Sequence, residues 1–400
     1  VLPPLASDDL RQHIRQDFLS ALSRAHQELG EVFRFALGKH DLFFVAHPDL
    51  ARQVLIHDKG IFAKVGSTGA LAGLQLVLGE GLLTTTKPEV WRKSRRMLQP
   101  LFHQQKVLAW NDTILEASQR CVARLKAKGH VDMAQEMLDT TAEVLYQVMF
   151  SMSPEEAKQY PLNVPLSLAT VKRKVLKQAL AKLEPVIYAL IHQRKQKRGN
   201  VQDILEDLLE IQDDDSTLTD KQLRDELLTL FAAGHETTSY ALAWTFYLLT
   251  KHPETYRTFL SHANMSAYAV AVFKESLRLY PTIPSAPRVA LIQTYLGGFD
   301  IPKGARIFVS FYLIHRHKAY WLGPDEFMPE RFLSKESDAY MPFGLGQRFC
   351  LGKNLAMLQG PVVLSEISKH LRLELLPESV SSKVAISLFP RTGIPMRVIF

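Results

Sequence analysis

The chain has 400 residues, enough to bury a large core without disulfides or a structural metal. Its composition, 46% hydrophobic and 22% charged, excludes a disordered or fibrous chain, and two cysteines, Cys121 and Cys350, exclude a disulfide scaffold and point to a reducing, cytoplasmic setting. The net charge of +7 comes with no nucleic-acid-binding motif, and no run of about 18 apolar residues marks a membrane span.

Residues 8–29 carry apolar positions at helical spacing. A short hairpin follows, VFRFAL and DLFFVAH around Gly38-Lys39, then a helix over 47–57 opening with His47-Pro48. Residues 61–87 are Gly-rich and read as loop. Helices are predicted at about 88–99, 106–127, 133–151, 169–196 and 218–250, the last apolar almost all round and so central and buried. Pro154, Pro161 and Pro165 break the stretch 152–172. After Pro281 the pattern changes to strands and turns at 285–311, then a Pro- and aromatic-rich meander over about 318–349. A helix at about 351–369 and a hairpin-like tail close the chain. No repeat or linker divides it. The expectation is a single, mainly α unit over 1–400, with small β-rich portions near 31–46, 285–311 and 371–400.

Cys121 lies on an apolar-periodic helix and reads as a small buried hydrophobe. Cys350 is different. It sits in Phe343-Gly344-Leu345-Gly346-Gln347-Arg348-Phe349-Cys350-Leu351-Gly352, where a helix begins. A helix N-terminus favours a thiolate, the glycines permit a tight loop, and Arg348 adds a cation. A thiolate there serves as nucleophile or metal ligand. No signature supports a nucleophile paired with any of the 14 histidines. A dinucleotide loop fails because position 349 is Phe.

The run Phe343-x-x-Gly346-x-Arg348-x-Cys350-x-Gly352 resembles the cysteine loop of the haem-thiolate monooxygenases, the cytochrome P-450 superfamily. Other motifs agree in the same order. Ala233-Gly234-His235-Glu236-Thr237-Thr238 resembles the oxygen-activation motif on the long helix; a zinc-protease reading fails, since residue 239 is Ser. Glu275 and Arg278, three apart on one helical face, resemble the family's buried ion pair, with Arg331 as third member. Trp91 and Arg95, four apart, resemble residues that meet a haem propionate, as do Arg288 and Arg348.

The resemblance implies a triangular helical prism around a buried haem b, with Cys350 as axial thiolate and Phe343, Gly344 and Gly352 shaping its loop. It assigns dioxygen chemistry to Thr237 and Glu236, with Gly234 and Ala233 leaving room; a kink in the helix is expected near Thr237. Electrons are expected from NAD(P)H through an external reductase and a ferredoxin or flavodoxin, steered by Arg92, Lys93, Arg96 and Lys353. Pocket walls are expected from the loop 65–78 and from Leu228, Phe231, Ile283, Pro284, Ser285, Ala286, Leu388 and Phe389. They are nearly all apolar and imply a large lipophilic substrate, a carotenoid or terpenoid first and a fatty acid second. The short connection from Pro253 to Lys274 resembles a bacterial carotenoid-hydroxylase branch. A monomer is expected. The rivals are a peroxide-driven peroxygenase and a non-catalytic haem binder, both disfavoured by the intact Glu236-Thr237 pair.

Overall fold

Asp17 breaks the first predicted helix in two. Its backbone is extended, at φ −138°, and its carboxylate caps a new helix at the Ser20 amide (3.1 Å), so Asp8–Gln16 and Phe18–Leu29 form where one helix is expected. The computed structural model describes all residues except 38–39, 58–59, 66–69, 163–172, 200, 216, 263–264 and 400. The expected turn at Gly38-Lys39 and residues 163–172 of the proline-broken stretch therefore lie outside the described residues. The chain is mainly helical with small sheets, and its contacts divide it into two units. One holds Val1–Val65, Ala271–Cys350 and Ser381–Arg391; the other holds Gly66–Val270, Leu351–Val380 and Thr392–Phe400.

The first unit is built on a five-stranded sheet. Val32–Leu37 pairs antiparallel with His40–Val45, which runs parallel to Arg306–Ser310; Ser285–Ala290 and Phe62–Lys64 complete it. Alternation sends Phe33, Phe35 and Phe44 to one face, where their rings pack together under the first two helices. Phe43, Val45, Ile307 and Val309 face the other side, against Phe311 and Trp321. The helix Pro48–Leu55 opens with the His47 ring accepting the Asp49 N–H.

The second unit is organised by the helix Asp220–Lys251, capped by a reciprocal Thr219–Gln222 box. It packs along Met133–Phe150, where the His235 ring meets the Leu138 carbonyl at 2.9 Å. A Cβ on Gly234 would stand 3.2 Å from Leu145, so this glycine lets the two helices approach. The observed helices Pro88–Leu98, Asn111–Lys128, Arg173–Gln196 and Lys353–His370 follow the predicted periodicities. Three departures stand out. The loop expected at 61–87 contains the helix Ala70–Leu78, whose leucines and valine outweigh Gly73. A helix at Ile204–Asp214, capped by Asp203, was not anticipated. The single helix expected at 106–127 is split into Gln104–Leu108 and Asn111–Lys128. Cys121 is fully buried, and burial pushes its thiol up to about 11, which keeps it an inert core residue. Among the described residues no helix is long and apolar enough to cross a membrane.

Candidate functional site

In the first unit, Cys350 ends a loop that folds back on Phe343. The Cys350 N–H donates to the Phe343 carbonyl at 2.9 Å, and the Gly344 N–H donates to Met341 at 3.1 Å. Gly344 and Gly346 take φ of +74° and +71°. These are left-handed conformations that side chains resist. A Cβ on Gly346 would lie 2.0 Å from the Leu55 carbonyl oxygen, so the loop rests against the end of Pro48–Leu55. The Cys350 residue is exposed. The helix itself starts at Lys353, three residues on, with Gly352 at its cap. Arg348 is half-buried; burial first, and then the charge of Arg288, push its pKa down to about 10. Two guanidiniums held in mutual reach suit an anionic partner.

Behind this loop lies a charged network with no exposure at its centre. Glu275 and Arg278 are both fully buried. Arg278 donates Nε and Nη2 to the two Glu275 oxygens at 2.7 and 2.8 Å. Its remaining donors go to the carbonyls of His315 (2.8 Å), Pro324 (2.6 Å) and Glu326 (2.8 Å). All five guanidinium N–H groups are thus used. Arg331 and the Met328 amide also reach Glu275, at 3.1 and 2.9 Å. Trp321 lies beneath both guanidiniums, 5.0 and 5.8 Å from its ring centre. The structure joins the expected trio Glu275, Arg278 and Arg331, and adds His315 and Trp321, which sequence reading missed. Nothing in the residues around His315 marks it out.

In the second unit, the long helix is buried on nearly every side from Leu223 to Phe246, except at Ala233, Gly234, Thr237 and Tyr240. Ala233, Thr237 and Tyr240 recur at helical spacing, so they open one narrow stripe. The Thr237 hydroxyl donates to the Ala233 carbonyl at 2.7 Å, and the helix is continuous through this point. Glu236 is buried, at 2% exposure, and its charge adds to burial in raising the Tyr240 phenol above its ordinary value.

The helix Pro88–Leu98 carries Trp91, nearly buried, and Arg95, whose Nε donates to Gln99 at 3.2 Å. Arg92 and Arg96 are exposed, but Lys93 pairs with Asp215 at 3.0 Å, which neutralises one of the expected steering charges. Ser94 faces inward to the buried Glu226, which also accepts the Leu82 N–H at 2.9 Å. Its neighbour Asp225 accepts the Glu80 N–H at 2.9 Å. This acidic pair holds the segment 79–82 to the long helix and was not read from the sequence.

Of the expected pocket residues, Leu228 and Phe231 are fully buried, and the Phe231 ring packs against Tyr146 and His235. Ile283, Ser285, Ala286 and Phe389 are half-buried, while Pro284 and Leu388 are buried. The Leu388 N–H donates to the Thr282 carbonyl at 2.8 Å, which brings the tail hairpin beside 282–286. The loop 65–78 is corrected to a helix over Ala70–Leu78. Among the described residues one other cluster, Glu31 with His47 and His317, has metal-ligand composition. The Nδ1 atoms of both rings accept backbone N–H groups, from Asp49 and Ala319. The protons therefore sit on Nε2, which suits donation to Glu31 and opposes metal ligation.

The residue types fit a haem: in the first unit an exposed cysteine beside paired guanidiniums, and in the second a buried helix opened at Ala233 and Thr237. The comparisons agree. The family model for cytochrome P450 matches residues 9–162 and 151–392. A relative from Streptomyces melanosporofaciens, cyclooctat-9-en-7-ol 5-monooxygenase, is 28% identical over 90% of this chain and 85% of its own. The Arabidopsis thaliana protein LUTEIN DEFICIENT 5, chloroplastic, is 27% identical over 94% of this chain and 72% of its own. A solved structure, the cytochrome P450DA heme domain, superposes with a TM-score of 0.86 at 24% identity, covering 100% of this chain and 98% of that one. With that fold and a family match over most of its length, the chain belongs to the cytochrome P450 family and is a monooxygenase that uses a haem iron.

Proposed function

We propose that this monooxygenase hydroxylates a large lipophilic substrate of the terpenoid or carotenoid class. The observation that carries the reading is the similarity over 90% or more of this chain to a cyclooctat-9-en-7-ol monooxygenase and to a protein named for lutein deficiency. The apolar character of Ile283, Pro284, Leu388 and Phe389 supports it: burying a ring-bearing hydrocarbon gains about 25 cal/mol per Å². In this reading Ser285 belongs to the same wall, while Leu228 and Phe231 are packed into the interior of the second unit.

Bound haem supplies the activation of dioxygen. The protein supplies the rest. Cys350 would give its thiolate to the iron, and the Phe343–Gly344–Gly346 turn, with Gly352, would keep that sulfur in place. Arg288 and Arg348 of the first unit would each suit a haem propionate, as would Trp91 and Arg95 of the second. Thr237 would offer its hydroxyl oxygen at the open stripe beside Ala233, and Glu236, next to it in the chain, would supply protons. Reducing equivalents come from NAD(P)H through a separate reductase and a ferredoxin or flavodoxin, which docks on a face including Arg92, Arg96 and Lys353.

The test is a haem spin-state titration by absorbance. A carotenoid, a shorter ionone-ring analogue and a long-chain fatty acid are added to separate samples. The expected result is a blue shift of the Soret band with the ring-bearing compounds alone. A shift with the fatty acid alone overturns the substrate class and leaves the family assignment intact.

A further inference from the structure

His315 lies at the centre of the first unit with no exposure, and both of its ring nitrogens are engaged. Nδ1 meets the Arg278 carbonyl oxygen at 3.2 Å, and Nε2 accepts the Met341 N–H at 2.9 Å. A carbonyl only accepts and an amide N–H only donates. The ring is therefore neutral, with its proton on Nδ1. Burial, reinforced by the charges of Arg278 and Arg316, pushes its pKa down to about 3, so no ordinary pH alters that state. The contact is reciprocal, because the Arg278 guanidinium donates to the His315 carbonyl at 2.8 Å. Tyr340 stacks on one side of the ring, at 5.7 Å, and Trp321 meets it edge-on at 6.5 Å. Met341 opens the segment that ends at Cys350; its carbonyl accepts Gly344, and Phe343 accepts Cys350.

We propose that His315 is a positioning residue for the sulfur: it transmits the rigidity of the Glu275–Arg278 pair to the cysteine loop through the Met341 amide. The proposal rests on reading Cys350 as the iron ligand. It adds a residue behind the loop that acts on the ligand without touching it.

Two substitutions separate this role from mere packing. In His315→Gln the side-chain oxygen reaches the Nε2 position and keeps an acceptor for Met341. In His315→Asn the amide occupies the Nδ1 position and leaves the Met341 N–H without one. Each variant is purified haem-loaded, and three quantities are read: the reduced carbon-monoxide difference spectrum, the iron reduction potential and the rate of haem loss to apomyoglobin. Tyr340→Phe, which removes only the phenol bond to Lys274, is the control for destabilisation at the same spot. His315→Asn is expected to lose part of its thiolate-type band and to release haem roughly tenfold faster or more. His315→Gln is expected to stay near the wild type. Wild-type spectra from His315→Asn, or an equal shift in Tyr340→Phe, overturn the proposal. If neither His315 variant holds haem, hydrogen exchange in the wild-type holoenzyme decides: the Met341 amide is expected among the slowest, and fast exchange overturns the proposal. A wild type with no thiolate band at all, matching Cys350→Ala, would instead refute the ligand reading.

Discussion

The Thr237 hydroxyl donates to the carbonyl of Ala233 one turn earlier, at 2.7 Å, on the only stripe of the long helix left open among its central described residues. That bond fixes the hydroxyl proton and leaves the oxygen as an acceptor facing the stripe. It is local to one helix, and Ala233 is satisfied by the helix in any case. Thr237→Ala is therefore expected to change stability by no more than about 1 kcal/mol. Its effect should appear in coupling: NAD(P)H consumed without product, hydrogen peroxide formed instead, and haem content unchanged. Thr237→Ser should restore much of the coupling. An alanine variant as well coupled as the wild type removes Thr237 from proton handling.

Glu275 is neutralised twice over, by Arg278 through two bonds and by Arg331 through one. The two arginines are not equivalent. Arg278 is fully buried and Arg331 is only half-buried. Removing Glu275 or Arg278 strands a buried charge, at about 3–5 kcal/mol. Removing Arg331 leaves Glu275 paired and costs about 1.5–3 kcal/mol. Urea denaturation of Glu275→Ala and Arg331→Met should give that order. The reverse order would mean that the meander, not the buried pair, carries the network.

Glu226 makes stability depend on pH. Burial raises its pKa from 4.5 to about 7; the Ser94 hydroxyl and the Leu82 amide oppose the rise, and the charge of Asp225 adds to it. The native state then binds the proton more tightly than the unfolded chain, so stability falls as pH rises between those two values and levels off above them. Taken in full, the difference is roughly 3 kcal/mol. Glu226→Gln keeps an acceptor for Leu82 and has no charge to desolvate. Its melting temperature should gain on the wild type steadily from about pH 5 to about pH 8. Parallel profiles would show that Glu226 is as easily ionised folded as unfolded.

Much of this was legible in the residues. Long apolar periodicities located the helices Met133–Phe150 and Asp220–Lys251 to within a residue or two, because burial on a fixed face leaves a fixed pattern. The cysteine loop was legible because two glycines at positive φ and a cysteine at set spacing leave few substitutes. Asp17 was not read as a break, since a capping aspartate and a solvent-facing one look alike until the backbone turns. His315 and Glu226 were not read either. Each accepts a distant backbone group, Met341 N–H and Leu82 N–H, which carries no side-chain signature. Pairing across 26 and 144 residues leaves no local pattern to detect.

The two loop glycines should respond differently to the same methyl group. Both sit at positive φ, so alanine costs each about 1–2 kcal/mol of backbone strain. At Gly344 the new Cβ finds room, the nearest atom being Phe311 Cζ at 3.9 Å. At Gly346 it lands 2.0 Å from the Leu55 carbonyl oxygen, which is backbone and cannot swing aside. The loop must therefore lift away from Pro48–Leu55, and Cys350 moves with it. Gly344→Ala is expected to lose stability but keep its thiolate-type carbon-monoxide band. Gly346→Ala is expected to lose that band or its haem. The measurement is the band's amplitude per haem, alongside each variant's melting temperature. Equal amplitudes in two variants of different stability would show that the contact with Leu55 does not set the position of the sulfur.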